Sequence, residues 1–330
     1  MDDEPHMAAA IAPLPATAGP AAAVAVITRT RDRLGFLARA AESVARQTFR
    51  DFVWVVVNDG GDPAPLQAAI ARAGLPASRI RRIDLAVSDG MESAGNAGVR
   101  ACSSRYITLH DDDDSWEPDF LTRCIGVLDA PDGRALAGVV TQANHVSEEL
   151  REGVVIEHAR GVFNPDLVAV GITQMLAHNL FPPISLVVRR SVWERVGGYD
   201  ARFPVLGDWY FNCRILFEGE IAVIAEPLAN WHRRDRGAAA GGAAANSVIG
   251  AAELHRQTMT AVRNALMRDL GQVQGAAVER AVAALTGEAR KGIRDGGVRV
   301  QTVVKSGGEA TAGGLPPSAH TLTGLAIDLA

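Results

Sequence analysis

The hexapeptide Phe52-Val53-Trp54-Val55-Val56-Val57 constrains the fold more than any other stretch of the chain. It has no polar face, and four of its six residues are valine. A run of this kind is a strand buried on both sides, and such strands belong to parallel sheets covered by helices. The neighbouring sequence agrees. Val24-Ala25-Val26-Ile27 reads as a preceding strand, and between the two Leu34, Leu37, Ala38, Ala41, Val44 and Ala45 recur at helical spacing. A helix from about Pro65 to Ala73, a strand over Ile80 to Leu85, a helix around Ala94 to Ala101 and a strand over Arg105 to Leu109 continue the alternation. This predicts an α/β fold with a mostly parallel sheet and helices on both faces.

In such sheets ligands bind outside the carboxyl ends of the strands. The first strand ends in Thr28-Arg29-Thr30-Arg31, the second in Asn58-Asp59-Gly60-Gly61-Asp62, and the fourth in Asp111-Asp112-Asp113-Asp114. The polar groups therefore gather at one edge. The second half is less regular. Strands are expected at Ile184 to Val188 and Ile221 to Ile224, and helices at Ser191 to Val196 and Asp208 to Phe217. A Gly/Ala stretch follows, and then two amphipathic patterns, one carried by Leu254, Val262, Leu266 and Leu270, the other by Val278, Val282 and Leu285.

Composition narrows the function. The chain has 330 residues, 48% of them hydrophobic, enough for one large α/β domain with an appendage. A net charge of −5 carries no basic footprint, which argues against nucleic acid as a partner. Cys102, Cys124 and Cys213 are too far apart for a metal-type pair and read as structural thiols of a reducing compartment. The first residues, Met1-Asp2-Asp3-Glu4, lack the positive charge of a secretory leader, and no apolar run reaches the roughly 20 residues of a membrane span.

The four consecutive acids ask for an explanation, because adjacent carboxylates raise one another's pKa. A solvated loop is one reading. However, the run follows an apolar strand and is closed by Trp116 and Pro118, so the charge is held in place. A held carboxylate cluster calls for a compensating cation. Oxygen-only ligands suit Mg²⁺ or Mn²⁺, and Mg²⁺ takes one or two protein carboxylates and completes its shell with water and substrate phosphates. That points to a nucleoside diphosphate.

Residues 24–235 resemble a family 2 glycosyltransferase of the GT-A fold. Glu42-Ser43-Val44 with Gln47-Thr48-Phe49 resembles the family's S-V-x-x-Q-T segment, and Val56 to Asp62 its V-D-D-G-S-T-D turn. Ala94-Gly95-Asn96-Ala97-Gly98 resembles A-R-N-x-G, and Asp111 to Trp116 resembles D-x-D-D-x-W. Gly197-Gly198-Tyr199-Asp200 and Gly207-Asp208-Trp209 resemble acceptor-side segments.

The resemblance implies roles. Asp59 matches the acid that accepts the uracil N3–H, and Thr28 lies where the family contacts base or ribose. Arg29, Thr30, Asn96, Asp111 and Asp112 complete the expected nucleotide-binding set. Asp111 and Asp113, with His232 of Asn230-Trp231-His232, are the expected metal ligands for Mn²⁺ or Mg²⁺, and Asp208 matches the catalytic base. Three positions depart from the pattern. Thr30-Arg31 stands for Tyr-Asn, Gly95 for the Arg of A-R-N, and Gly207 for a Glu before the base. Arg29, Arg31 and Arg33 are the candidates to restore positive charge.

The expected organisation is a flexible tail over 1–22 and a GT-A domain over 23–235, with a nucleotide-binding half to about 116 and an acceptor half from about 117. A flexible, lid-like Gly/Ala loop over 236–247, a helical extension over 248–300 and a mostly flexible tail over 301–330 complete it. The expected activity is metal-dependent, inverting transfer of a sugar from a nucleotide-sugar, UDP-linked by the Asp59 match, to a hydroxyl of a glycan or lipid-linked acceptor. The expected location is cytoplasmic or peripheral at the inner membrane face, and homo-oligomerisation stays open. Two alternatives remain. One is a sugar-phosphate nucleotidyltransferase, although Thr28 to Arg33 lacks the glycines of its phosphate loop. The other is a non-catalytic nucleotide-sugar-binding protein with a decayed site.

Overall fold

The computed structural model describes residues 22–152, 154–234, 252–272, 298–301 and 326–329. They fall into two units, Met1–Leu266 and Met267–Ala330. The expected N-terminal tail and the Gly/Ala loop at 236–247 lie outside the described residues, as do the second amphipathic pattern at 278–285 and most of the expected C-terminal tail.

The first unit opens with the expected alternation. Strand β1 (Ala22–Thr30) leads to helix α1 (Leu34–Ala45), β2 (Phe52–Asp59), α2 (Pro63–Ala71), β3 (Ile80–Leu85), α3 (Met91–Arg100) and β4 (Ser104–Leu109). All eight residues of β2 are buried. Burial of an apolar side chain of this size is worth about 1.5–3 kcal/mol, so β2 anchors the sheet. It pairs in parallel with β1 and β3, and β1 pairs in parallel with β4. The order β3-β2-β1-β4 places β1 where the winding reverses. The crevice at such a switch point is where an open α/β sheet receives its ligand. Gly98 lets α3 lie close on this sheet, since a Cβ there would come within 2.5 Å of Ile27 Cγ2.

Beyond β4 the sheet becomes mixed. The elements are β5 (Ser115–Trp116), α4 (Phe120–Asp129), β6 (Gly138–Arg151), β7 (Val154–Val162), α5 (Ile172–Ala177), β8 (Leu186–Arg189), α6 (Arg190–Val196), α7 (Gly207–Glu218) and β9 (Ile221–Arg233). The sheet continues β4-β8-β6-β9-β5, with β7 hydrogen-bonded to β6. β8 is antiparallel to both β4 and β6, β6 runs parallel to β9, β5 is antiparallel to β9, and β7 is antiparallel to β6. The second half thus carries long strands that apolar periodicity does not reveal. β6 and β7 are rich in Glu, Arg and His, and β9 runs nine residues past the expected end at Ile224, through Pro227.

Helix α8 (Ala252–Gln272) matches the first amphipathic pattern, with Val262 and Leu266 fully buried in the core of the first unit. In the second unit, β10 (Val298–Gln301) pairs antiparallel with β11 (Ala326–Leu329). No helix among the described residues is long and apolar enough to cross a membrane.

Candidate active site

The four acids leave the end of β4 in four different environments. Asp111 is the most accessible, its side chain 27% exposed. Its Oδ1 accepts from Arg29 Nη2 at 2.6 Å and Nε at 3.1 Å. Arg29 Nη1 donates to the Met91 carbonyl at 2.9 Å, so the guanidinium ties β1, β4 and the start of α3 together. Asp112 is buried. One oxygen stands 3.0 Å from Arg33 and the other is without a hydrogen-bond partner. Burial pushes it up to about 7, against the opposing charge of Arg33.

Asp113 and Asp114 face inward. Burial acts to raise Asp113 but is outweighed by Arg33, 2.5 Å away, and by Arg234, which together hold it down to about 2. Asp114 accepts the His232 backbone N–H at 2.9 Å, and burial next to Asp113 and Asp111 drives it well above the carboxylate range. Arg234 is fully buried, lies 4.3 Å from the centre of the Phe36 ring and also reaches Glu148 at 3.4 Å. Glu148 on β6 is in turn bonded by Arg39 at 2.9 Å and by His232 Nδ1 at 3.0 Å. Burial acts to raise Glu148, but hydrogen bonds from His232 and Arg39 bring it to about 2.

The cations that compensate the acid run in this structure are therefore guanidinium groups. This corrects the argument from charge repulsion to a metal. It also moves His232. Its Nδ1 faces Glu148, which can only accept, and its Nε2 lies 2.9 Å from Ser115 Oγ. With both nitrogens engaged in a site only 4% exposed, His232 cross-links β5, β6 and β9 in this structure. Among the described residues no group of three or more His, Cys, Asp or Glu side chains is arranged to hold a metal. Asp113 Oδ2 is engaged by both Arg33 and Arg234. Asp111 does fit a hard cation, with one oxygen outside its Arg29 bonds and a solvent-facing side chain. A divalent ion held there by one carboxylate would take the rest of its shell from diphosphate and water.

Two other expected contacts are also taken up by the protein. Thr28 is fully buried and its Oγ1 accepts from Trp54 Nε1 at 2.9 Å, so it points into the core. Asn96 donates to the Tyr199 carbonyl at 2.7 Å and accepts the Tyr199 N–H at 2.9 Å, so its amide serves as a backbone clamp on the Gly198–Tyr199 turn. Thr30 is buried at the end of β1, and Arg31 is exposed. Asp59 does present a free acceptor. Its Oδ2 accepts from Ser88 at 2.7 Å, while Oδ1 is buried without a hydrogen-bond partner.

Asp208 approaches from the other half of the sheet. It is the second residue of α7, whose cap is Leu206 in the left-handed region at φ +63, so Asp208 is not the helix cap. Asn179 Nδ2 donates to its Oδ2 at 2.8 Å. Burial raises it above its ordinary value, opposed by the Trp209 N–H, Asn179 and Arg29, and Asp111 adds to the rise. Near it lies a residue the sequence reading missed. Glu92, in the first turn of α3, is only 4% exposed. Burial pushes it up to about 7, with Arg29 opposing and Asp208 and Asp111 reinforcing.

Residues 24–178 match the profile of the family described as Glycosyl transferase family 2. An uncharacterized glycosyltransferase of Bacillus subtilis, YwdF, is 27% identical over 191 residues, 58% of this chain and 67% of that protein. A glycosyltransferase of Nostoc is 28% identical over 62% of this chain and 63% of its own, so the chain spans about two thirds of the length of these curated relatives. Among solved structures, S. aureus TarS in complex with UDP-GlcNAc superimposes with a TM-score of 0.52 at 14% identity, covering 65% of this chain and 59% of that one. The mannosyltransferase PcManGT from Pyrobaculum calidifontis, in complex with GDP-Man and Mn²⁺, gives 0.52 at 16% identity over 80% of each chain. At these identities the likeness concerns the fold.

Proposed function

From the premise that the chain belongs to glycosyltransferase family 2 and is a glycosyltransferase, we propose that it transfers a sugar from a nucleoside diphosphate donor to an acceptor hydroxyl with inversion at the anomeric carbon. The observation that carries this reading is the placement of Asp208, raised by burial, near Asp111 and Arg29 at the carboxyl edge of β1 and β4. The bound UDP-GlcNAc and GDP-Man of the two structural neighbours support a nucleotide-sugar donor. The unpartnered Asp59 oxygen favours uracil, whose N3–H would donate to it. The domain occupies residues 23–235, its nucleotide half ending near 116. The acceptor is a glycan or lipid-linked sugar.

In the transfer step the acceptor oxygen bonds to the anomeric carbon, the bond from that carbon to the diphosphate breaks, and its electron pair leaves with the diphosphate. Asp208 takes the acceptor proton. Arg29 offers positive charge beside the leaving group. A divalent cation, for which the Mn²⁺ of PcManGT is the precedent, would be held by Asp111 and would act as a Lewis acid towards the diphosphate.

Product analysis tests this reading against its rivals. With UDP-glucose, UDP-N-acetylglucosamine and GDP-mannose, each with and without Mn²⁺, free nucleoside diphosphate and a glycosylated or hydrolysed sugar are expected. Conversion of the donor to nucleoside triphosphate and sugar 1-phosphate when pyrophosphate is added would indicate a nucleotidyltransferase, and binding without turnover a decayed site.

A further inference from the structure

Two glycines face the site from α3 and α7, and a charged side chain from another element lies over each. A Cβ on Gly95 would stand 3.5 Å from Arg29 Cδ. A Cβ on Gly207 would stand 2.5 Å from Glu92 Oε1, 2.7 Å from its Cγ and 2.9 Å from its Cδ. Glu92 is thus packed against the backbone of the residue immediately before Asp208. Gly207 is not in the left-handed region, so what excludes a side chain there is Glu92 itself.

The transfer step described above makes no use of Glu92. A buried carboxylate is costly unless it is compensated. The cation that faces it from β1 is Arg29, which Asp111 also engages through two hydrogen bonds, while Asp208 faces it from α7 and Asp111 from the end of β4. Three carboxylates thus share one guanidinium, and a group kept buried on such terms at a cleft is a candidate for function. The two departures from the expected pattern, Gly95 and Gly207, are the two places where Arg29 and Glu92 fit.

We propose that Glu92 is a positioning residue of the transfer site, occupying the space that Gly207 leaves open and keeping Asp208 from turning onto Arg29. Where Glu92 is ionised, its repulsion aims Asp208 away from α3, towards the entering hydroxyl, and at any pH its bulk beside Gly207 keeps Arg29 with Asp111 and the diphosphate. This rests on the transfer reading.

The test combines a stability cycle with turnover, read as nucleotide release from the three donors named above. Gly207→Ala should lower Tm by several degrees in the wild-type background and by less than one degree in a Glu92→Ala background. Glu92→Gln should reduce kcat tenfold or more, with the donor KM within twofold and Tm within about two degrees. The double variant Glu92→Ala with Gly207→Glu, which restores a carboxylate from the other helix, should recover at least a third of the wild-type rate. Equal destabilisation by Gly207→Ala in both backgrounds, or wild-type kcat in Glu92→Gln, overturns the proposal. A wild-type protein that releases no nucleotide overturns the transfer reading and the positioning role with it, while the stability cycle still reports whether Glu92 fills the room at Gly207.

Discussion

Two groups of buried charge meet at the end of β4, and they are built on opposite terms. On the inner side Arg33, Arg39, Arg234 and His232 surround Asp113 and Glu148 with short hydrogen bonds, and both acids are held at about 2. On the outer side Glu92, Asp111 and Asp208 compete for Arg29, and Glu92 is pushed to about 7. The inner group resembles a structural ion-pair network, in which each charge has its partner and the strands β5, β6 and β9 are locked to the acid run. The outer group holds charge the protein leaves only partly satisfied, and there substrate has something to contribute. The contrast shows that a run of acids is not one site. On the proposed reading Asp111 faces the chemistry, whereas Asp113 and Asp114 are tied into the ion-pair network.

The comparison breaks most readily at Asp208. Asp208→Asn keeps the size and the bond to Asn179's neighbourhood but cannot accept a proton at neutral pH. Turnover should fall on the order of 10²–10⁴-fold, with nucleotide affinity and Tm near wild type. A near wild-type rate would remove Asp208 as base. On the inner side the effect should fall on stability. Arg234→Met takes one guanidinium from the buried Asp113 and Glu148, which keep Arg33, Arg39 and His232, so its cost should approach the roughly 3–5 kcal/mol of a buried pair broken from one side. For a domain of this size that is a drop of roughly 10 °C in Tm by calorimetry. Adding Asp113→Asn should restore part of the loss. A melt within two degrees of wild type for Arg234→Met would mean that the guanidinium does not hold the run.

The two groups also differ in how far the sequence announced them. β1 to β4 and their helices were legible because buried parallel strands need unbroken apolar runs, and Phe52 to Val57 is one. The carboxyl-edge location followed from that alternation, and Asp59, Asp111 and Asp208 were found on it. The inner network was not legible. Its members, Arg33, Arg39, Glu148 and Arg234, come together only through the long strands β6 and β9, whose polar stretches beyond Val140 and Ile224 no apolar run announces. Thr28 and Asn96 looked like ligand contacts because side-chain direction is not written in a motif, and Trp54 and Tyr199 claim them. Glu92 reads in sequence as an ordinary acid in the first turn of a helix. The signal for it was indirect, in the missing side chains at Gly95 and Gly207.

Base recognition sharpens the outer side further. The buried, unpartnered Asp59 oxygen awaits a donor that uracil has and cytosine lacks. An unmet buried acceptor costs about 1–3 kcal/mol, so UDP should bind tenfold or more tighter than CDP by titration calorimetry. Asp59→Ala should remove most of that preference. Equal affinities in the wild type would take Asp59 out of the nucleotide site.

The most direct test of the contrast is the pH dependence of stability in two single variants, Glu148→Gln and Glu92→Gln. Glu148 is depressed to about 2, so in the wild type it contributes stability above its unfolded value of about 4.5, and that contribution is lost as pH falls towards 2. Glu92 is raised to about 7, so the folded state holds its proton more tightly, and the wild type loses stability as pH rises from about 4.5 through 7. Melting curves taken from pH 3 to 8 should therefore diverge in opposite directions. Glu148→Gln should be less stable than wild type at pH 7 and approach it in acid. Glu92→Gln should match wild type in acid and equal or exceed it by a few degrees at pH 8. If both variants are destabilised at neutral pH with the same pH slope, the two groups are charged on the same terms, and the division into a structural and a chemical cluster is wrong.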